Sequence, residues 1–419
     1  MKVLWLTNML PGAVRSQMGG TGDAGMWTDH VLEDLRQQKL QLLLLCRGGE
    51  GSGKLDERTE YALFSEKKPH VYSPSLEERF VLRLRDFQPD VIHIWGTEYG
   101  HCLAMVNAAE KAGMLERVVI SIQGLCSVIT RHYCEGLPER VCHSSTLRDL
   151  LRWDNIIQQQ KKFRQRGELE VKALQKVSHV IGRTDFDRAV THQCNPDIQY
   201  HFCNETLRAP FYQDQWSYAA ARKHRIFASS CLYPVKGFHY LLEALPLVLR
   251  EFPDAAVSVA GDSFFAANFQ RKLRQEYYDR YLARLCEEKG LKDKIEFLGD
   301  LDAEEMKRAY LRSNVFVLPS SIENSPNSLG EAMLLGVPCV AADVGGVRNM
   351  LKEGEGRVYP STAPYLLAQD IMEVFRMEEQ AEEMGKLARQ HAGKTHDPEE
   401  NRNRLLDIYR EIAGEGRTQ

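Results

Sequence analysis

The stretch Val315 to Val340, VFVLPSSIENSPNSLGEAMLLGVPCV, holds the repeating unit of the fold and the densest set of candidate functional residues. Val315 to Leu318 read as a buried strand that stops at Pro319. A polar loop follows, and a helix is predicted to start at Ser325-Pro326, with Ser as N-cap and Pro as first helical residue. Beyond the helix, Val337 to Ala341 reads as the next strand. Strand, loop, helix and strand in this order make the parallel α/β unit. In open sheets of this kind, ligands bind outside the carboxyl ends of the strands. The amides of Asn327 and Ser328, at the start of the helix, therefore suit a diphosphate. Glu323 lies in the loop and Glu331 in the second helical turn. Beside a phosphate, two carboxylates make sense if they accept hydrogen bonds from sugar hydroxyls. On spacing alone, they read first as unrelated surface acids, and it is the flanking sequence that favours a shared pocket.

The same alternation runs through the whole chain. Further strands are expected at Val3 to Thr7, Leu40 to Leu45, Val91 to Trp95, Val118 to Ile122 and His179 to Gly182. The second half repeats the pattern at Ile226 to Ser229, Val257 to Ala260 and Ile295 to Leu298. With 419 residues, the chain exceeds one ordinary core and implies two domains of about 200 residues each. The expected fold class is α/β, two Rossmann-like doubly wound domains facing each other across a cleft. The first domain is placed at 1–208 and the second at 225–396. Between them, 209–224 contains Pro210, has no clear period and reads as a linker. In 397–419, Leu405, Leu406, Ile408, Tyr409 and Ile412 form an amphipathic helix that needs a docking surface, with the N-terminal domain as the candidate.

Bulk composition narrows the function classes. A net charge of -4, from 54 basic and 58 acidic residues, gives no general attraction to nucleic acid. Ten cysteines without a CxxC pair suit a reducing compartment. No apolar run approaches a membrane span, and Thr7-Asn8 end the first one too early for a signal peptide. A cytoplasmic location is expected. The basic stretch Arg148, Arg152, Lys161, Lys162, Arg164 and Arg166 reads first as a solvated helix face, and second as a membrane-surface or acceptor patch. Histidines 93, 101, 132 and 143 lack ligand spacing, so no metal site is expected. Asp300-Leu301-Asp302 and Asp185-Phe186-Asp187 spell DxD. Asp302 reads instead as a helix N-cap, with Glu305 completing a capping box.

Other candidates sit at strand ends. Lys236 occupies a turn after the strand at Ile226, where an ordinary turn lysine is the alternative. Gly20, Gly22 and Gly25 spell GxGxxG after the first strand, but Arg47-Gly48-Gly49 stands where a dinucleotide site needs an acid after the second. An NAD enzyme is disfavoured. Gln123, Arg183 and Gly261 each follow a strand, with ordinary structural roles as the alternative.

Taken together, the chain resembles the retaining glycosyltransferases of family 4, which have the GT-B fold. Glu323 and Glu331 occupy the acidic positions of the E-x7-E motif, and Gly336-Val337-Pro338 and Gly345-Gly346 flank it as in that family. The resemblance implies a hexose-type sugar moved from a nucleotide-sugar donor, UDP-linked by preference, to a glycan or lipid-linked acceptor in polysaccharide assembly. It implies no cofactor and no metal, and it allows peripheral contact with the inner face of a membrane. Lys236 takes the position of a lysine that holds the donor diphosphate, while Cys231 stands where an arginine is usual. Arg183 is a candidate to offset that loss. Ala24-Gly25 replaces a Gly-Gly pair facing the donor, and Gln123 replaces a histidine near the sugar. Gly261 would let the donor sugar approach the backbone. Glu331 is assigned to the ribose, and Glu323 to the transferred sugar. Two rivals share this shape: nucleotide-sugar 2-epimerases, and non-catalytic sugar-binding proteins.

Overall fold

Leucine-rich and β-branched runs form two open sheets, and near-continuous apolar strands are what sheets covered on both faces require. A computed structural model of the chain describes residues 1–20, 27–266 and 273–414. It divides into two units: 1–128, 162–208 and the segment from His396 in the first, 129–161 and 209–395 in the second.

In the first unit, the strands are β1 (Lys2–Thr7), β2 (Gln41–Arg47), β3 (Gly51–Lys54), β4 (Thr59–Phe64), β5 (Val91–Trp95), β6 (Val118–Ser121), β7 (His179–Gly182) and β8 (Gln199–Phe202). Among the described residues, their order is β3-β4-β2-β1-β5-β6-β7-β8. All neighbours are parallel except β3 with β4. Leu4, Leu6, Ile92 and Ile94 face one core, while Val3, Trp5, Val91 and Trp95 face another. The helix Pro398–Ala413 completes the second core with Leu405, Leu406, Ile408 and Tyr409. The indole Nε1 of Trp5 donates to the Tyr409 hydroxyl at 2.9 Å, so the amphipathic terminal segment docks on the first unit's sheet.

The second unit contains β9 (Arg225–Ala228), β10 (Ala256–Val259), β11 (Ile295–Phe297), β12 (Val315–Leu318), β13 (Cys339–Ala342) and β14 (Arg357–Tyr359). Their order is β11-β10-β9-β12-β13-β14, all parallel. The sequence reading did not include β3, β4, β8 and β14. The first of these, GSGK, has almost no strand propensity and is recruited by pairing with β4.

Two boundaries differ from the expected ones. Residues 129–161, assigned above to the first domain, pack with the second unit. There the Thr146 hydroxyl donates to the carbonyl of Gln275 at 2.9 Å, and Asp149 accepts from the amide of Tyr277 at 3.0 Å. Nor is 209–224 a free linker. Phe211 and Trp216 are buried, and the Trp216 indole donates to the carbonyl of Ser313 at 2.7 Å.

Candidate active site

Chain direction in the second sheet reverses between β9 and β12: β9 leads outward to β10 and β11, and β12 leads the other way to β13 and β14. The loops after β9 and β12 therefore open on the same crevice, where ligands of such sheets bind. The first loop carries Lys236 and the second Glu323, 87 residues apart, and the Lys236 ammonium donates to Glu323 Oε1 at 2.7 Å. The Ser320 hydroxyl donates to the same oxygen at 2.7 Å. This leaves Oε2 without a partner among the described residues. Lys236 is the more exposed partner, at 36% against 12% for Glu323. An ion pair this open to solvent adds little to stability, so its value is in holding two opposite charges side by side.

Both loops are held by close backbone contacts. Gly237 has φ of +65°, and a Cβ there would come 1.8 Å from the carbonyl oxygen of Pro319. The Ser321 amide donates to the carbonyl of Val235 at 2.8 Å. Gly345, with φ of +51°, passes as closely over the carbonyl of Glu323. Glycine is needed at both places because any side chain would push the loops apart.

Downstream of Glu323, the helix is Asn327–Leu335, with Pro326 as N-cap and no side-chain capping bond. This corrects the expected start at Ser325-Pro326. The Ser325 hydroxyl is turned instead to the sulfur of Met350, 3.5 Å away. Asn327 and Ser328 still occupy the first turn, where helix geometry provides their amides with no acceptor. Glu331 is buried in the same helix. Gly261 follows β10 with φ of +106° and exchanges backbone hydrogen bonds with Gly299 at 2.8 and 3.2 Å. Cys231 is buried, and that burial pushes its thiol up to about 12. The Cys231 thiol is therefore neutral near pH 7.

The remaining candidates belong to the first unit. Gln123 follows β6 and Arg183 follows the neighbouring β7. Arg183 is buried and pairs with Glu205 at 2.5 Å, and it donates to the carbonyl of Ile122 at 3.0 Å. Gln123 donates to the other Glu205 oxygen at 2.5 Å. Arg183 is thus paired within the first unit rather than standing as a lone cation. Gly25 lies outside the described residues. Asp187 of the second DxD string is buried, caps its helix with Thr184 and accepts from Tyr200. Asp302 forms the expected capping box with Glu305. The sequence reading missed Ser320 and Glu205. Ser320 stands three residues before Glu323, a spacing that a loop reading would have noticed, whereas Glu205 carried no local signal.

The sequence profile of the glycosyl transferases group 1 matches residues 214–391. The spore coat protein SA of Bacillus subtilis is 28% identical over 181 residues, 42% of this chain and 46% of that protein. The D-inositol 3-phosphate glycosyltransferase of Corynebacterium urealyticum is 27% identical over 185 residues, 43% of this chain and 41% of that one. The matches thus span less than half the length of these relatives. Among solved structures, sucrose-phosphate synthase from Thermosynechococcus elongatus superposes over 99% of this chain and 100% of its own, with a TM-score of 0.71 at 16% identity. HepE from Anabaena, solved with UDP-glucose, covers 97% and 99%, with a TM-score of 0.67 at 17% identity.

Proposed function

We propose that this chain, whose residues 214–391 match the glycosyl transferases group 1 and whose two sheets have the GT-B fold, is a retaining, metal-independent hexosyltransferase. The donor is a nucleotide sugar, UDP-linked by preference, and the acceptor a hydroxyl of a glycan or lipid-linked glycan. The bond between the anomeric carbon and the diphosphate oxygen breaks. The acceptor oxygen bonds to that carbon on the same face, and its proton leaves with the diphosphate. Lys236 and the first-turn amides of Asn327 and Ser328 meet the charge growing on the leaving group, while Glu323 orients the sugar and Glu331 binds the ribose. The observation that carries this reading is the 2.7 Å contact of Lys236 with Glu323 at the switch point of the second sheet. HepE, of the same fold, is solved with UDP-glucose, which supports a nucleotide-sugar donor. The test is a thermal-shift screen of nucleotide sugars, followed by mass analysis of donor and acceptor after incubation. Transfer to an added acceptor is expected. Conversion of the donor alone into its 2-epimer would overturn the reading. Turnover should survive excess EDTA, and recovery that strictly requires added Mg2+ or Mn2+ would defeat the metal-free mechanism.

A peripheral membrane contact fits the second unit's surface. In the short helix Leu147–Arg152, Leu147, Leu150 and Leu151 are exposed at helical spacing, Leu151 at 77%, and Trp153 just beyond is 74% exposed. Arg152 beside them is exposed, whereas Arg148 is half-buried against Asp149 and Glu276. The basic stretch is therefore not a plain solvated face. No described helix is long and apolar enough to cross a membrane. Apolar side chains mixed with arginine suit the surface of an anionic bilayer. Vesicles with acidic lipids should sediment with the protein and lose it on Leu151→Asp, while vesicles of neutral lipid should bind it weakly. Equal sedimentation of the variant would rule this contact out.

A further inference from the structure

At the carboxyl edge of the first unit's sheet, a second charged cluster takes no part in the chemistry above. The direction of that sheet reverses between β1 and β5, the place where such sheets bind ligands. Arg47 ends β2 on one side of β1, and Tyr99 follows β5 on the other. The Arg47 guanidinium stands 5.2 Å from the centre of the Tyr99 ring, and that of Arg166, from the helix Ile156–Leu174, stands 5.4 Å from it. Arg166 also lies 3.9 Å from the ring of Phe163. A guanidinium that packs on aromatic faces keeps its in-plane N-H donors for another partner.

Among the described residues, neither guanidinium makes a hydrogen bond, and the Nε atoms of both are buried without an acceptor. Arg47 Nε forms a long ion pair with Glu66 Oε2 at 3.5 Å, an oxygen that His101 Nδ1 also meets at 2.9 Å. Partial burial, and after it the charges of Lys162, Arg166 and Lys68, hold the His70 imidazole below its ordinary value. The carboxylates of the region are buried beneath these cations. Glu170 accepts from Thr97, Ser127 and the amide of Cys126. Burial pushes the Glu98 carboxyl up to about 7, so it cancels only part of the positive charge near neutral pH. Cations that make no hydrogen bond of their own, beside carboxylates engaged largely with other donors, are a setting for an anion, and two guanidiniums match phosphate oxygens better than sugar hydroxyls.

We propose that Arg47 and Arg166, braced by Tyr99, bind a phosphoryl group carried by the acceptor. This rests on the glycosyltransferase reading for the word acceptor, although not for the anion site itself. The group is a phosphate or diphosphate ester, either of a free sugar phosphate or of a lipid-linked glycan.

The test is calorimetric titration of the full chain with inorganic pyrophosphate. Two kinds of site are expected, one weakened in Lys236→Ala and the other weakened about tenfold or more in Arg166→Gln and in Arg47→Gln. Arg166→Lys should recover part of the loss, and UDP affinity should be unchanged in all three arginine variants. Farnesyl diphosphate and glycerol phosphate separate the sources: tighter binding of the first at the arginine site points to a lipid-linked acceptor, and equal binding to a free phosphate ester. Unchanged pyrophosphate binding in both glutamine variants, with UDP binding intact, overturns the anion site while leaving the donor site standing. Loss of pyrophosphate binding in these variants from a protein that never binds UDP keeps the anion site and refutes the donor reading. Melting temperatures of the variants separate loss of a ligand contact from loss of the fold.

Discussion

Lys236→Ala is expected to lower kcat by about 10²- to 10³-fold, roughly 3 to 4 kcal/mol in the barrier, the usual cost of removing one preorganised donor from a developing anion. The ammonium stands 2.7 Å from Glu323 in the free protein, and a departing diphosphate carries far more charge than one carboxylate. The contact to the leaving group therefore strengthens as the reaction proceeds, so the loss should appear in kcat more than in the donor KM. A purely structural lysine would behave differently. If it served only to neutralise Glu323, the double variant Lys236→Ala with Glu323→Gln would recover the activity lost in the single one. If it carries leaving-group charge, the double variant stays at or below the worse single variant. Lys236→Arg should rescue partly, since the charge is kept but a planar guanidinium does not reproduce the point contact of the ammonium with Glu323. Near wild-type turnover in Lys236→Ala would show that this crevice is not the phosphate site, and that Cys231 marks a different use of the turn.

The two acids should separate kinetically. Glu323 stands at the crevice, with Oε1 engaged by Lys236 and Ser320. In the proposed reaction its other oxygen accepts from a sugar hydroxyl. Glu323→Gln should keep donor affinity and lose turnover, about tenfold for each 1.4 kcal/mol of transition-state stabilisation removed. Glu331 is buried in the helix that starts at Asn327, and ribose contacts hardly change during reaction. Glu331→Gln should therefore raise the donor KM and leave kcat nearly intact. Because Glu331 is buried, its variant must be compared at matched melting temperature, so that lost folding is not read as lost binding. Steady-state kinetics of both variants, with donor affinity by calorimetry, decides the matter. Equal KM effects at both positions would remove Glu323 from the catalytic role.

The β12-loop-helix-β13 unit was legible from residues 315–340 because each part is encoded locally. Val315 to Leu318 is apolar on both faces, Pro319 stops the strand, and the helix ends at Gly336 in the left-handed region. Asp302 and Glu305 close their capping box within a single turn, and it was read correctly from their spacing. Local chemistry has its own competition, however. Ser325 looked like a cap and became a partner of Met350, a residue 25 positions away that only the folded chain brings near.

Periodicity states that a segment will be buried but not against what. That is why the ten expected strands were found with ends displaced by up to two residues, while GSGK of β3, its partner β4 and the short edge strands β8 and β14 were not. The same reason hid the allegiance of residues 129–161, set by the contacts of Thr146 and Asp149 with residues 275 and 277. It also left Arg183 looking like a spare cation until Glu205, on a neighbouring strand end, was seen to hold it. By itself, the sequence determined the α/β class, the pair of domains and the residue types available at each strand end, because these follow from local pattern and composition. Only the tertiary structure decided that Lys236 and Glu323 touch across 87 residues and that the terminal helix seals the first unit through Tyr409, because strand order and docking are set by pairing between distant segments, whose free energy no local window contains.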